Sequence, residues 1–296
     1  MMQFRTPTFD EYADYTHYYK QCLQLSAECS FLALWSYQEE LQLERAFCHD
    51  LYWHKARWHD QAIWLPPIGE WDRSDWEELL TAAVPPGTLF GFVPEFLANK
   101  WVKSFPDKLV VDGMRDEWDY IYHMDQQVFL EGQAFASMRT ACRKFIKSYP
   151  YEFSEITPDD IPAIIAFQHQ WMEGKKNDGK ITDDLAAEHR TVLRVLENWP
   201  MLRAVHGAKF TVDKEVVAYI VVEELDDYII SGHILKGNYS YKGVYQAMQH
   251  LLYKSKLANF SIINAWGDGA SEGLRQAKLN LNPIGYIKKY LITWKG

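Results

Sequence analysis

The sequence is poor in cysteine and in the patterns that mark covalent or metal chemistry. Four cysteines occur in 296 residues, and no two of them form a CxxC pair. This excludes a disulfide framework and favours reduced thiols in an intracellular protein. No Ser/His/Asp or Cys/His order stands out. His49, His54 and His59 are five residues apart, a spacing that fits neither one helix face nor one strand face, so no metal site is predicted.

Long apolar runs and an excess of positive charge are also missing. The longest apolar stretches are short, such as VVAYIVV at residues 216–222, whereas a membrane-spanning helix needs about 20 apolar residues. The start, MMQFRTPTFDEY, lacks the apolar core of a signal peptide. We therefore expect a cytosolic protein without an integral membrane segment.

The balance of charge limits the partners. Forty acidic and 31 basic residues give a net charge of −9, which argues against a protein that coats nucleic acid over its whole surface, and no DNA partner is expected. Any polyanion must meet a local basic patch.

What the sequence has is enough apolar material for a large core. It is 48% hydrophobic and 15% aromatic, and its 24% of charged residues is ordinary for a folded chain. The length allows one large domain or two of average size.

The order of predicted elements is similar in the two halves of the chain. In the first half it is strand hairpin, helix, strand, helix and strand, over residues 51–67, 75–83, 88–93, 94–105 and 116–132. The second half begins with a strand at 152–156 and two helices at 157–175 and 182–200. Three antiparallel strands follow at 203–235, and then a loop with a helix at 236–258. A strand at 260–267 and a last helix at 271–283 complete it.

A basic helix is predicted between the halves. From Gly132 to Tyr149 there are four basic residues and no acidic one. Arg139, Arg143 and Lys147 follow one another at steps of four along one face. This face is either solvated or an anion site, and both interpretations remain open.

The last predicted helix has two contrasting edges. Three polar residues lie on one edge and three apolar residues on the next: Arg275, Lys278 and Asn282, then Leu274, Ala277 and Leu281. We expect the apolar edge to dock the helix. The basic edge is either solvated or the wall of an anion site.

A glycine-containing loop precedes the helix that begins at Val244. Backbone amides and the helix dipole at such a position can hold a phosphate or a pyrophosphate. Lys242 and Gly243 suit that use, and equally an ordinary turn. The order of elements resembles the GNAT acyltransferase fold, in which this loop cradles the pyrophosphate of an acyl-coenzyme A.

Three ordered segments carry a more specific resemblance. They are WDYIYHMDQQVFLEGQAFASMRTACRKFIKSYPYEF, GHILKGNYSYKGVYQAM and IINAWGDGASEGLRQAKLNLNP. They resemble three blocks of the catalytic domain of bacterial phosphatidylglycerol lysyltransferases, whose characterised members move an aminoacyl group from a charged tRNA to a lipid head group. The resemblance implies an α+β fold of two GNAT-like domains in tandem, each a mostly antiparallel sheet flanked by helices. We place them at 1–132 and 150–296, with the basic helix 133–149 between them.

The resemblance also implies four catalytic candidates. His233 would act as general base on an amine, and Tyr245 would protonate a leaving thiolate or hydroxyl. Asn264 and Asp268 would orient the ligand. Each residue also has a plain structural alternative: a histidine at a strand end, a core aromatic, and two turn residues.

Seven further residues are candidates for binding an anionic donor or substrate: Arg139, Arg143, Lys236, Lys242, Gly243, Arg275 and Lys278. We expect Arg139, Lys242, Arg275 and Lys278 to converge on one pocket between the two halves.

The expected function is transfer of an acyl or aminoacyl group to an amine or hydroxyl of a small substrate with an anionic group. No tightly bound cofactor is expected. The donor, either acyl-coenzyme A or charged tRNA, and the oligomeric state stay open. Leu235 and the Ala265-Trp266 pair stand where the family tends to have polar groups. A degenerate module that binds an anion or a protein partner without chemistry is therefore the alternative.

Overall fold

In the computed structural model, which describes residues 2–296, this part of the chain forms thirteen β-strands: β1 (Glu44–Cys48), β2 (Leu51–Trp58), β3 (Gln61–Gly69), β4 (Leu89–Pro94), β5 (Leu109–Gly113), β6 (Asp119–His123), β7 (Tyr151–Glu155), β8 (Val205–Val212), β9 (Glu215–Glu224), β10 (Ile229–Gly237), β11 (Ile262–Asn264), β12 (Gly285–Ile287) and β13 (Lys289–Trp294).

The same residues form ten α-helices: α1 (Tyr12–Tyr19), α2 (Phe31–Ser36), α3 (Trp76–Ala83), α4 (Glu95–Ser104), α5 (Met124–Phe129), α6 (Ala136–Ser148), α7 (Ile161–Asn177), α8 (Asp183–Glu197), α9 (Val244–Ser255) and α10 (Glu272–Leu279). Within residues 2–296, each helix is too short or too polar to cross a lipid bilayer.

The strands assemble into two sheets. One has the order β1-β2-β3-β4-β13-β5, and the other has the order β12-β6-β11-β10-β9-β8-β7. The β3–β4 and β10–β11 pairs are parallel, and the antiparallel pairs outnumber them. The predicted α+β fold, with mostly antiparallel sheets flanked by helices, is confirmed.

Tight hairpins connect consecutive strands. His49-Asp50, His59-Asp60 and Asp213-Lys214 all have positive φ and form two-residue connections. Two residues with positive φ are typical of type I′ turns, whose twist matches that of the flanking strands. His49 and His59 are therefore turn residues.

The chain divides into two compact units. The first comprises the residues up to Tyr120 with Trp266–Ser271 and Tyr286–Gly296, and the second comprises Ile121–Ala265 with Glu272–Gly285. Compared with the predicted ranges, residues 121–149 lie in the second unit, and residues 266–271 and 286–296 lie in the first. Helix α6, expected to bridge the halves, lies inside the second unit. Strand β13 belongs to the first unit because it pairs with β4 and β5.

The predicted strand at 116–132 is wrong in its second half. Strand β6 ends at His123, and α5 follows until Leu130, whose φ of 52° terminates the helix. Met124, Gln127 and Val128 are buried at the helical spacing of three and four. The alternation of β6 therefore ends where this spacing begins.

Helix α6 buries its predicted apolar face. Phe135, Met138, Cys142 and Phe145 are buried, and the Phe145 ring lies 4.7 Å from that of Phe210 on β8. Helix α6 packs against α9, so the apolar face fixes the basic helix to the sheet of the second unit.

The approach of α6 to α9 explains Gly243, the residue before α9. Its φ is 90°, a conformation that favours glycine. A Cβ atom on Gly243 would lie 2.1 Å from the carbonyl oxygen of Ala141 on α6. The packing of α6 therefore requires glycine here.

A buried charge cluster joins three distant segments of the first unit. The Lys289 ammonium has no exposed surface and contacts the carboxylates of Asp119 (2.6 Å) and Glu28. Asp119 also accepts a hydrogen bond from the amide of Ala27 (3.2 Å). The two carboxylates raise the pKa of Lys289 against the effect of its burial. Burial and the neighbouring Asp119 carboxylate raise the pKa of Glu28 from 4.5 to about 7.

The raised pKa of Glu28 predicts a specific pH dependence. The folded state holds a proton on Glu28 that the unfolded chain releases near pH 4.5. The contribution of this proton to stability is therefore complete below pH 4.5 and is lost as the pH rises to about 7. One pKa unit corresponds to about 1.4 kcal/mol, so the full contribution is about 3 kcal/mol. Urea unfolding between pH 4.5 and 7.5 should show this decline in wild type.

The Glu28→Gln variant should lack this part of the decline, because glutamine does not titrate. A matched control is Glu78→Gln, which changes an exposed carboxyl on α3 and should keep the wild-type profile. An unchanged profile in Glu28→Gln would contradict the assignment.

Gly243→Ala should lower the free energy of unfolding by more than about 1 kcal/mol, because the new methyl group meets the Ala141 carbonyl oxygen in an unfavourable backbone conformation. Gly273→Ala is the control. Gly273 lies inside α10 with no neighbouring atom within 4 Å of a Cβ, and alanine there should be neutral or stabilise by about 0.5–1 kcal/mol. Equal stability of the two variants, measured by urea unfolding, would show that α6 can move away from the loop.

Candidate functional site

Three buried polar side chains form a row across the second unit's sheet. Ser231 on β10 is paired with Glu223 on β9 and with Asn264 on β11. Residues paired in register have their side chains on the same face. Their exposed fractions are 4% for Glu223 and 0% for Ser231 and Asn264. Polar side chains are buried in the middle of a sheet far less often than apolar ones and need partners there, so three of them in register make the row a candidate functional site.

His233 joins this row through a β-bulge. The β9–β10 register shifts between Gly232 and Ile234, which leaves His233 as the extra residue. Its Nε2 lies 2.7 Å from Oε2 of Glu223, and both side chains are nearly buried. With the Nε2 proton directed to Glu223, the lone pair of the neutral imidazole is on Nδ1. His233 and Glu223 therefore have the arrangement of a general base that a carboxylate orients.

The bulge also determines the face on which Lys236 lies. Lys236 pairs with Tyr219, which is four residues from Glu223 on β9, whereas Lys236 is five residues from Ser231 on β10. The extra residue therefore puts Lys236 on the same face as the polar row. On this face Tyr219 donates a hydrogen bond to Gln168 of α7 (2.7 Å).

Lys236 is buried against α7 and α8. Its ammonium is 2.7 Å from Oε1 of Glu188 on α8 and 4.3 Å from the centre of the Trp171 ring on α7. Lys236 has an exposed fraction of 5%. Its charge is therefore held by one carboxylate and one aromatic face.

Tyr245 lies at the start of α9 and points back to the end of β10. Its hydroxyl donates to the carbonyl oxygen of Gly237 (2.8 Å). Burial raises the pKa of Tyr245, and a hydrogen bond with Tyr239 acts in the same direction. A hydroxyl with a raised pKa stays protonated, but it is a weaker acid than an ordinary tyrosine.

The amides of the loop before α9 already donate within the protein. Ser240 donates to the Asn238 side chain (2.9 Å), and Tyr241 donates to the Asn238 carbonyl oxygen (3.0 Å). The amide of Lys242 donates to the Tyr149 hydroxyl (3.2 Å). Three consecutive amides that could have faced a pyrophosphate thus have protein acceptors.

Arg139 has local partners in the turn between α5 and α6. Its Nη1 donates to the carbonyl oxygens of Leu130 and Gly132, the latter at 2.6 Å. These bonds stabilise the turn at Leu130, where the chain has positive φ. Arg143 and Lys147, farther along the same face, are exposed.

Helix α10 reverses the expected roles of its two edges. Leu274 is 44% exposed and Ala277 is also exposed, whereas Arg275 and Lys278 are half-buried. The Lys278 ammonium donates to the Ala265 carbonyl oxygen (2.5 Å). The expectation that Leu274 and Ala277 dock the helix is therefore wrong.

Two residues expected on this helix lie beyond its end at Leu279. Leu281 packs on the buried cluster of Leu130, Phe135, Met138 and Cys142. Asn282 has a positive φ of 57°. Because the helix ends early, neither residue lies on the edge that a longer helix would have given it.

Asp268 belongs to the first unit. Its carboxylate is buried, accepts a hydrogen bond from the Tyr120 hydroxyl (2.7 Å) and lies 3.5 Å from Nη1 of Arg115. Burial raises the pKa of Tyr120, and the bond to Asp268 raises it further. Asp268 thus has a structural role in its own unit, and its catalytic role stays a prediction.

Of the predicted catalytic residues, His233 and Asn264 lie at one buried row. The convergence of Arg139, Lys242, Arg275 and Lys278 on one pocket stays a prediction. Sequence reasoning missed Glu223 and Ser231. The sequence feature that could have indicated them is a carboxylate and a hydroxyl within mostly apolar strands, VVAYIVVEE and IISGHIL.

The sequence matches the family model described as phosphatidylglycerol lysyltransferase, C-terminal, over residues 23–293. No significant match was found among curated protein sequences.

Three solved structures are similar over nearly the whole chain. A conserved protein of unknown function from Bacteroides thetaiotaomicron has a TM-score of 0.90 at 22% identity and covers 100% of both chains. The C-terminal domain of a putative lysylphosphatidylglycerol synthetase from Agrobacterium fabrum has a TM-score of 0.64 at 12% identity, covering 96% of this chain and 93% of its own. L-PGS from Bacillus licheniformis has a TM-score of 0.60 at 14% identity, covering 89% and 91%.

At these identities the structures establish the fold alone, whereas the family match covers most of the sequence. The chain therefore belongs to the phosphatidylglycerol lysyltransferase C-terminal family, a family of aminoacyl- and acyltransferases.

Proposed function

We propose that this protein transfers an aminoacyl group from an aminoacyl-tRNA to an amine or hydroxyl of an acceptor. The family supports the reaction class. The acceptor is a small molecule or head group with an anionic part, as expected from the basic residues of the second unit.

The proposed donor rests on the hydrogen bonds made by the backbone amides of the loop before α9. A GNAT-type pyrophosphate site needs backbone amides that point at the ligand. Here the amides of Ser240, Tyr241 and Lys242 donate to protein acceptors, and Gly243 is in close contact with α6. Binding a pyrophosphate would require breaking these contacts. An aminoacyl ester does not use this cradle, so the loop favours it over an acyl-coenzyme A.

The polar row supports a base-assisted transfer. The nucleophile of the acceptor attacks the ester carbonyl carbon, and Nδ1 of His233 takes the proton that the nucleophile loses. The Glu223 carboxylate stabilises the imidazolium that forms. The tetrahedral oxyanion then collapses and the ester C–O bond breaks. His233 returns the proton to the departing ribose hydroxyl.

Asn264 is the candidate donor to the oxyanion. Its side-chain amide has two N–H donors, and it lies in the same row as Glu223 and Ser231. A fixed donor in a buried site stabilises developing negative charge without reorganisation during the reaction.

A binding module without chemistry is the second candidate. Leu235 and Ala265-Trp266 support it, because apolar groups stand where the resemblance implies polar ones. Turnover of any aminoacyl or acyl donor that depends on His233 would exclude it. A co-purified anionic ligand without turnover would favour it.

His233→Ala should lower kcat/KM by about 10²- to 10⁴-fold, the usual contribution of a general base. Glu223→Gln should have a smaller effect, because the imidazolium that forms on His233 during the transfer loses its carboxylate. Steady-state transfer rates would measure both effects.

The matched control is His206→Ala. His206 on β8 also bonds a glutamate, Glu224, at 2.5 Å, and both side chains are one-third exposed. The control should keep wild-type activity. Equal losses in His206→Ala and His233→Ala would indicate a general effect of removing a His–Glu pair and would contradict the assigned base.

The donor is tested directly by mobility shift of charged tRNA at two salt concentrations and by calorimetry with acetyl-coenzyme A. We expect a salt-dependent shift with charged tRNA and no acetyl-coenzyme A binding. Transfer of labelled amino acid from tRNA to phosphatidylglycerol vesicles or to a small primary amine tests the acceptor class. No shift together with acetyl-coenzyme A binding would overturn the proposed donor.

A further inference from the structure

A column of alternating ammonium groups and aromatic rings lies at the end of β10, away from the polar row. The Lys236 ammonium is 4.3 Å from the centre of the Trp171 ring, and the Lys175 ammonium is 4.9 Å from the same centre. Lys175 is also 4.6 Å from the centre of the Tyr239 ring. Tyr239 packs on Tyr245, with ring centres 5.1 Å apart. The order of side chains in the column is therefore Lys236, Trp171, Lys175 and Tyr239, and Tyr245 lies beside Tyr239.

One end of the column is buried and the other is open. Lys236 is 5% exposed, whereas Tyr239 is 59% exposed. The Lys175 ammonium contacts the Tyr239 hydroxyl at 3.4 Å. The open end therefore presents a flat aromatic surface with an ammonium at its edge. An exposed tyrosine would gain from a partner that covers it.

The charge of the column selects the class of ligand. The Glu188 carboxylate pairs with Lys236. The Asp178 carboxylate, which also interacts with Lys175, is paired with Lys180. The three ammonium groups therefore exceed the two carboxylates, in a protein of net charge −9. Although burial acts to raise the pKa of Tyr239, hydrogen bonding to Tyr245 and the Lys175 ammonium lower it. The excess of positive charge favours an anion and disfavours a cation at this place.

A nucleotide has the two features that fit this end of the column. Its base stacks on an aromatic ring, and its phosphate pairs with a lysine. We propose that Tyr239 and Lys175 form a subsite for a nucleotide of the donor, with the base on the Tyr239 ring and a phosphate at the Lys175 ammonium. This inference rests on the proposed transfer from an activated donor.

The position of the subsite agrees with a donor that extends from the polar row. Lys236 and Ser231 lie on the same face of the sheet, and their partners on β9 are four residues apart, or about 13 Å. Tyr239 follows farther along the chain. The base on Tyr239 is therefore not attached directly to the reacting ester. It belongs either to an unpaired nucleotide further back in the 3′ end of a tRNA or to the nucleotide end of a coenzyme A.

Two probes distinguish these sources: the single-stranded RNA ACCA and coenzyme A, each titrated into the full-length protein by calorimetry. We expect binding of ACCA. Tyr239→Ala should weaken it by about 10- to 100-fold, the usual effect of losing one base–aromatic stack. Tyr239→Phe should retain binding, because the stacking ring remains. Lys175→Ala should reduce the slope of log affinity against log salt by about 0.7.

The chain offers matched controls for both residues. Tyr228 is 65% exposed and lies in the same unit. Lys176 is the neighbour of Lys175 on α7, and its ammonium is 3.9 Å from Glu173. Tyr228→Ala and Lys176→Ala should bind ACCA as wild type does. The exposed position of Tyr239 makes a folding defect easy to exclude by circular dichroism.

Each outcome separates this inference from the proposed function. If coenzyme A binds in a Tyr239-dependent manner and ACCA does not, the subsite stands and the aminoacyl-tRNA donor is wrong. If wild type transfers from aminoacyl-tRNA with the same KM as Tyr239→Ala, the function stands and the subsite is wrong. If neither probe binds wild type, or if Tyr239→Ala and Tyr228→Ala bind equally, the subsite is overturned.

Discussion

The single extra residue in β10 determines where the polar chemistry of the second unit lies. A strand alternates its side chains between two faces, so one inserted residue reverses the face of everything that follows. Without His233 as the bulge, Lys236 would lie opposite the face that carries Glu223, Ser231 and Asn264. With it, the polar row and the buried lysine lie on the same face of the sheet, the face on which Tyr219 bonds α7 and Lys236 bonds α8. The bulge also brings His233 to Glu223.

The second constraint is the close packing of α6 on the loop before α9. In an acyl-coenzyme A enzyme of GNAT type, the glycine of this loop lets a ligand approach the backbone. Here Gly243 lets helix α6 approach it. The same contact region includes Tyr149, which follows α6 and accepts from the loop amide of Lys242. A glycine before a helix indicates that something approaches the backbone closely. The sequence does not distinguish a ligand from a neighbouring helix, and the donor that we propose rests on that distinction.

Local patterns in the sequence predicted most of the fold. Thr182 caps α8 through the amide of Leu185, at the start of a helix predicted over 182–200, and the three strands from β8 to β10 follow from their turns and apolar runs. The errors have a common cause in tertiary context. Strand β13 pairs with strands nearly 200 residues away in sequence, which periodicity does not reveal. For α10, a pattern of edges predicted burial of Leu274, but the helix ends at Leu279 and the basic edge is covered more than the apolar one.

The same limit applies to the site. The resemblance identified His233 and Asn264, but their relation to Glu223 and Ser231 depends on strand register, which no sequence spacing gives. The basic residues were expected at an anion site because they share a helix face or edge, whereas Arg139 and Lys278 donate to backbone carbonyl oxygens. For Lys175 and Lys236, the neighbouring aromatic rings are better evidence of a binding role than the number of basic residues nearby. The Lys175 ammonium is held over the rings of Trp171 and Tyr239, and such contacts fix the position of an ammonium without requiring a carboxylate. Lys236 is also paired with Glu188. Lys175 is therefore a better candidate for a donor contact than Lys236 or a solvated basic stripe.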